Sequence, residues 1–169
     1  MTAEERRQAI VETLKNSSIP CNATVLAKKF GVSRQVVVAD VALLRAAGVE
    51  IHATPRGYLL ENVQAGEFIW RLACCHTAED METELNIMVD NGCTVLDVVI
   101  EHPVYGELTG TLRLQNRYDV KQFVMKSNET RPLSLLTEGI HLHTVSCPNQ
   151  ETLDRVRDEL NRAGILLKS

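Results

Sequence analysis

Two histidines in the run "GIHLHTVSC" (139–147) stand at i and i+2, in a stretch whose alternation reads as a β-strand. Side chains on a strand point alternately to opposite faces, so His141 and His143 share one face about 7 Å apart. A third imidazole, His76, closes the apolar strand-like run 67–76. Eight residues later Glu84 lies within a helical pattern that carries Met81, Leu85, Met88 and Val89 on one face. Three imidazoles and a carboxylate are donors suited to a divalent transition metal such as zinc or nickel. Spacing does not choose Glu84 over Glu79, Asp80 or Glu82. Strand histidines at this interval also serve as half-exposed neighbours with no ligand.

The five cysteines (Cys21, Cys74, Cys75, Cys93, Cys147) are odd in number and contain no CxxC pair. That argues against a disulfide framework and a cysteine-based zinc finger. Their spacing gives no reason to place a thiol among the histidines.

Residues 67–169 read as β-α-β-β-α-β-α-β, ending in a short strand at 165–168. This order predicts an α+β sandwich, with helices covering one face of a largely antiparallel sheet. Residues 61–66 lose periodicity and include Gly66, which makes them a linker. The domain boundaries expected are therefore 1–62 and 67–169.

The first sixty residues have different chemistry. They hold eight Lys/Arg against five Asp/Glu, whereas the remainder holds ten against seventeen. A basic front and an acidic back fit a nucleic-acid reader joined to a part that does not touch nucleic acid. Helical patterns cover 4–16, 23–30 and 34–47. Asn22 and Ser33 are placed as N-caps, and Gly31 and Gly48 as stops. The run "EIHATPRGYLL" reads as a hairpin around Pro-Arg-Gly. Together these form a helix-turn-helix with a wing, whose second helix fits the major groove of duplex DNA. Ser33, Arg34 and Gln35 open that helix: Arg34 suits guanine, Gln35 suits adenine, and Arg56 at the wing tip suits a minor groove or a phosphate.

No apolar run approaches membrane-spanning length. The charged, amphipathic start "MTAEERRQAIVETL" is unlike a secretory signal, so a cytoplasmic protein is expected.

The stretch "VSRQVVVADVALLRAAGVEIHATPRGYLL" (32–60) resembles the winged helix-turn-helix of the biotin-repressor type. The segments "CHTAEDMETEL", "IEHPVYGELTGTL" and "PLSLLTEGIHLHTV" resemble the three-histidine domain of niacin-responsive transcriptional repressors. The resemblance spans about residues 5–165. It implies a homodimeric, non-enzymatic repressor of niacin uptake or NAD biosynthesis genes that binds a double-stranded operator. Nicotinic acid would be its co-repressor, and His76, Glu84, His141 and His143 would hold a divalent metal, nickel or zinc. His102, the histidine of "EHPVYG", is expected near the effector with Tyr105 and Arg117. For the last two, a turn aromatic and a surface cation are the plain alternatives. The rival class is a metal-dependent hydrolase or other metalloenzyme fused to a DNA-binding domain, although no HExxH, deaminase or nucleophile-elbow pattern is present.

Overall fold

A computed structural model of the chain describes residues 1–60 and 68–167. The expected linker at 61–66 lies outside the described residues. The chain divides into two compact units, Met1–Val63 and Gln64–Ser169.

In the first unit, α1 (Ala3–Lys15) begins at a capping box in which Thr2 and Glu5 each satisfy the other's backbone N–H. The shorter α2 (Ala23–Phe30) is capped by Asn22 and ends at Gly31, whose φ of 66° is the left-handed conformation of a helix stop. Ser33 caps α3 (Arg34–Ala46) by accepting from the Val36 N–H. Ile10, Leu14, Leu26, Val37, Val41 and Ile51 form the core of the three helices and the wing. Asp40, 3% exposed on the inner face of α3, accepts from Arg6 Nε of α1 at 2.6 Å. A buried carboxylate requires such a partner.

The wing is an antiparallel hairpin of β1 (Ile51–Thr54) and β2 (Gly57–Leu60). Backbone bonds exchanged by Cys21 and Tyr58, at 2.8 and 2.9 Å, tie it to the start of α2. A Cβ at Gly57 would lie 2.4 Å from the Cys21 carbonyl, so only glycine permits this approach.

The second unit holds β3 (Phe68–Cys75), a 3-10 turn (Ala78–Asp80), α4 (Met81–Asp90), β4 (Thr94–His102), β5 (Gly106–Leu114) and α5 (Arg117–Asn128). A second 3-10 turn (Leu133–Thr137), β6 (Ile140–Cys147) and α6 (Gln150–Arg162) follow. The sheet order is β3-β6-β4-β5, and every pairing is antiparallel. Leu72, Cys74, Val95, Leu112, Leu114 and Val145 of the sheet pack with Leu85, Met88, Val120, Leu153, Val156 and Leu160 of the helices. This is the expected α+β sandwich.

Two details differ from expectation. The helix expected over 78–92 starts as a 3-10 turn and is α-helical only from Met81 to Asp90. The strand expected at 165–168 is a single bridge between Leu166 and Cys74 among the described residues. Two backbone bonds hold it to β3: Cys75 N–H to the Ile165 carbonyl, and Leu167 N–H to the Ala73 carbonyl, both 2.9 Å.

Candidate metal centre and nucleic-acid interface

The β3–β6 register sets Cys74 opposite His141 and Leu72 opposite His143, on the face that packs against the helices. His76 follows the end of β3, and Glu84 rises from the first turns of α4. The four side chains meet. His76 Nε2 lies 2.7 Å from Glu84 Oε2, His141 Nε2 lies 2.7 Å from Oε1, and His143 Nε2 lies 3.3 Å from Oε2. Their side chains are 1–4% exposed. The rivals Glu79, Asp80 and Glu82 are all exposed, so burial separates Glu84 from them where spacing did not.

Each imidazole uses its other nitrogen on a backbone carbonyl. His76 Nδ1 meets the Thr77 carbonyl at 2.6 Å, His141 Nδ1 the Gly139 carbonyl at 2.8 Å, and His143 Nδ1 the Asp97 carbonyl at 2.7 Å. A carbonyl only accepts, so all three Nδ1 atoms carry hydrogen. In the neutral ring the Nε2 lone pair is then aimed at Glu84. Three lone pairs and a carboxylate converging in a buried space repel one another unless positive charge joins them, either as protons on the rings or as a cation. A carbonyl-anchored Nδ1–H is also the usual outer partner of a metal-ligating histidine.

The electrostatics agree. Burial alone would raise the Glu84 carboxyl, but the three imidazoles outweigh it and hold the group well below the usual carboxylate range. Burial would lower His76 and His143; hydrogen bonding and charge from Glu84 prevail and raise both.

Two local features build the cluster. Gly139, at φ 90°, opens β6; a Cβ there would lie 2.3 Å from the His76 carbonyl oxygen. Absence of a side chain therefore lets the two ligand-bearing segments touch. On the other side, the β4–β6 register shifts between Val95 and Val99. In that break, Asp97 replaces ladder bonds: its carboxylate accepts from Thr144 N–H at 3.0 Å while its carbonyl takes the His143 Nδ1 hydrogen.

The first unit presents a different surface. Ser33, Arg34, Gln35 and Ala39 are exposed along α3, opposite the buried Val37, Asp40 and Val41. Ser33 accepts from the Val36 N–H at 3.3 Å, so part of its hydrogen-bonding capacity goes to capping α3. Arg56 sits in the turn of the wing, where its N–H donates to Thr54 Oγ1 at 3.2 Å. Lys28 and Lys29 are exposed at the end of α2. Lys29 Nζ also reaches Thr13 Oγ1 at 3.0 Å.

A helix-turn-helix family model matches residues 6–59, and a 3H domain model matches residues 69–169. The chain is 42% identical over 168 residues to a probable transcription repressor, NiaR, of Thermotoga maritima; the match covers 98% of this chain and 95% of the relative. It is 44% identical over 168 residues to the transcription repressor NadR of Bacillus subtilis, covering 96% of this chain and 93% of the relative. The chain belongs to the 3H-domain family of transcription repressors. Its helix-turn-helix is thus the DNA-binding part of a regulator.

Within this 3H domain the expected effector residues do not gather as the ligand set does. His102 ends β4, and its Nδ1 accepts from the Val104 and Tyr105 N–H groups at 3.1 and 3.2 Å. It thereby closes the β4–β5 turn, and its ring lies 5.0 Å from that of Tyr105. Tyr105 is 74% exposed. Arg117 begins α5 and forks onto Asp90 through Nε at 2.8 Å and Nη2 at 2.5 Å. Its side chain is 68% exposed.

One residue of the 3H domain was missed. Cys74 Sγ, a Glu84 oxygen and a His141 ring nitrogen all lie within 4.8 Å of one another. This corrects the expectation that no thiol stands among the histidines. Burial, with Glu84 beside it, pushes the Cys74 thiol up, so without a cation it keeps its proton. Only the β3–β6 pairing reveals this neighbour.

Proposed function

We propose that the protein is a nicotinate-responsive repressor. Its 3H domain would hold a divalent metal on His76, Glu84, His141 and His143, and a homodimer would bind a two-half-site operator in genes of niacin uptake or NAD biosynthesis. One observation carries the metal reading: three buried imidazoles, each with its Nδ1 hydrogen held by a carbonyl, turn their other nitrogens onto one buried carboxylate. Imidazole and carboxylate donors suit zinc or nickel. When bound, such a metal supplies a positive centre for an anion.

This chain's residues perform the remaining tasks. Thr77, Gly139 and Asp97 carbonyls orient the rings, Glu84 offsets cationic charge, and the surrounding core excludes water. Nicotinate combines a carboxylate with an aromatic ring. It therefore suits a site with positive charge beside apolar surface. Support for nicotinate is the resemblance of "EHPVYG" and "GIHLHTV" to niacin-responsive repressors. Support for the DNA surface is the exposed Arg34 and Gln35 on α3. The hydrolase alternative draws no support from the two relatives, one named a transcription repressor and the other a probable one.

The direct test is a mobility-shift titration on candidate promoter DNA. Nicotinate should tighten the shift, and prior chelation should abolish that gain. A shift equally tight in all conditions would refute the sensor reading while leaving DNA binding in place.

A further inference from the structure

The ligand set just proposed leaves one buried side chain of the cluster without a role. Cys74 lies on the helix-facing side of β3, opposite His141 in the strand register, and is fully buried. Its sulfur shares a 4.8 Å span with donor atoms of Glu84 and His141. With metal–donor bonds of about 2.0–2.3 Å, donors on opposite sides of one ion stand about 4.0–4.6 Å apart. Cys74, Glu84 and His141 therefore need only small adjustments to share one ion, and His76 and His143 join them through Glu84, 2.7 and 3.3 Å from its Oε2.

The other thiols of the second unit are placed elsewhere. Cys75 pairs with Ile140 and projects to the opposite sheet face. Cys93 and Cys147 meet each other, Sγ to Sγ at 2.9 Å, where β4 begins and β6 ends.

We infer that Cys74 is a thiolate ligand of the same metal centre, beside the three imidazoles and Glu84. This rests on the metal reading above. As the sulfur–metal bond forms, the thiol proton leaves to solvent. A thiolate tilts the site toward zinc, cobalt and nickel and away from magnesium and manganese, which prefer oxygen donors. It also lowers the charge of the loaded centre by one unit relative to a set without sulfur.

The test uses the full chain, stripped with a chelator and titrated with Co²⁺. Bound Co²⁺ shows visible d–d bands with any of these donors. An intense near-ultraviolet charge-transfer band appears only when sulfur is bound. Wild type and Cys93→Ser should show both features. Cys74→Ser and Cys74→Val should keep visible bands, lose the near-ultraviolet band and bind Co²⁺ about tenfold or more weakly. Valine preserves apolar packing should serine destabilise the core, and circular dichroism checks that each variant is folded.

Wild-type protein with visible bands alone would overturn the thiolate assignment and leave the imidazole–carboxylate site standing. A near-ultraviolet band that survives in both Cys74 variants would assign the sulfur elsewhere. Wild-type protein with no cobalt bands would defeat the metal reading itself, and Cys74 with it.

Discussion

At the scale of single residues, hydrogen-bond direction carries more information than residue identity. His102 and His143 are both strand histidines, yet His102 Nδ1 accepts two turn N–H groups whereas His143 Nδ1 donates to the Asp97 carbonyl. The first is committed to a turn; the second aims a lone pair at the cluster. Arg117 shows the converse lesson, because its charge is already engaged by Asp90 at the surface. The Arg117 hydrogen bond holds the Asp90 carboxyl below its ordinary value. A depressed acid stabilises the fold above its unfolded pKa of about 3.9, and that contribution is lost as pH falls through the lower folded value. Arg117→Ala should therefore reduce the melting temperature slightly near neutrality and converge with wild type in strong acid, as thermal melts across pH would show. Its nicotinate response in a mobility shift should be unchanged; a lost response would move Arg117 into the effector site.

At the scale of elements, the helices were legible because their ends carry chemical signals. Asn22 and Ser33 have the residue types of N-caps and Gly31 that of a stop, and each occupies that position. The turn from β4 to β5 was equally plain in Pro-Val-Tyr-Gly. Irregular features were hidden, since a 3-10 turn or a bulge depends on what packs against it. The break in the β4–β6 ladder at Asp97 has no period to announce it. Gly139 is such a junction, and in Gly139→Ala the added Cβ would fall 2.3 Å from the His76 carbonyl oxygen and must push it away. That variant should bind Zn²⁺ about 10–100-fold more weakly in a competition titration, as when an orienting group around a metal is lost. Unchanged affinity would show that the β3–β6 junction does not set the ligand geometry. On α3, Arg34→Ala should cost about 1–3 kcal/mol of operator binding and relax base choice at one position. Equal losses on operator and random DNA would reassign Arg34 to phosphate contact.

At the scale of the whole molecule, one winged helix contacts few base pairs, and specificity grows when two half-sites are bound together. Ile69 and Ile140 are 46% and 49% exposed on the sheet face opposite His141 and His143. If nicotinate favours the DNA-competent dimer, linkage requires operator DNA to raise nicotinate affinity by the same factor. Calorimetric titration of nicotinate with and without operator should show that gain, and equal affinities would break the proposed coupling. None of the described helices is long and apolar enough to cross a membrane. Local signals were enough to read the two-part order, the winged helix-turn-helix, the α+β class and the pairing of His141 with His143 on one face, because caps, turns and periodicity act over a few residues. Spacing left Glu84 level with Glu79, Asp80 and Glu82 and the resemblance alone singled it out; its burial among the imidazoles, their carbonyl anchors and the arrival of Cys74 beside His141 emerge only in three dimensions. Each depends on strand register and burial, which join residues as far apart as Glu84 and His141 and leave no periodic trace along the chain.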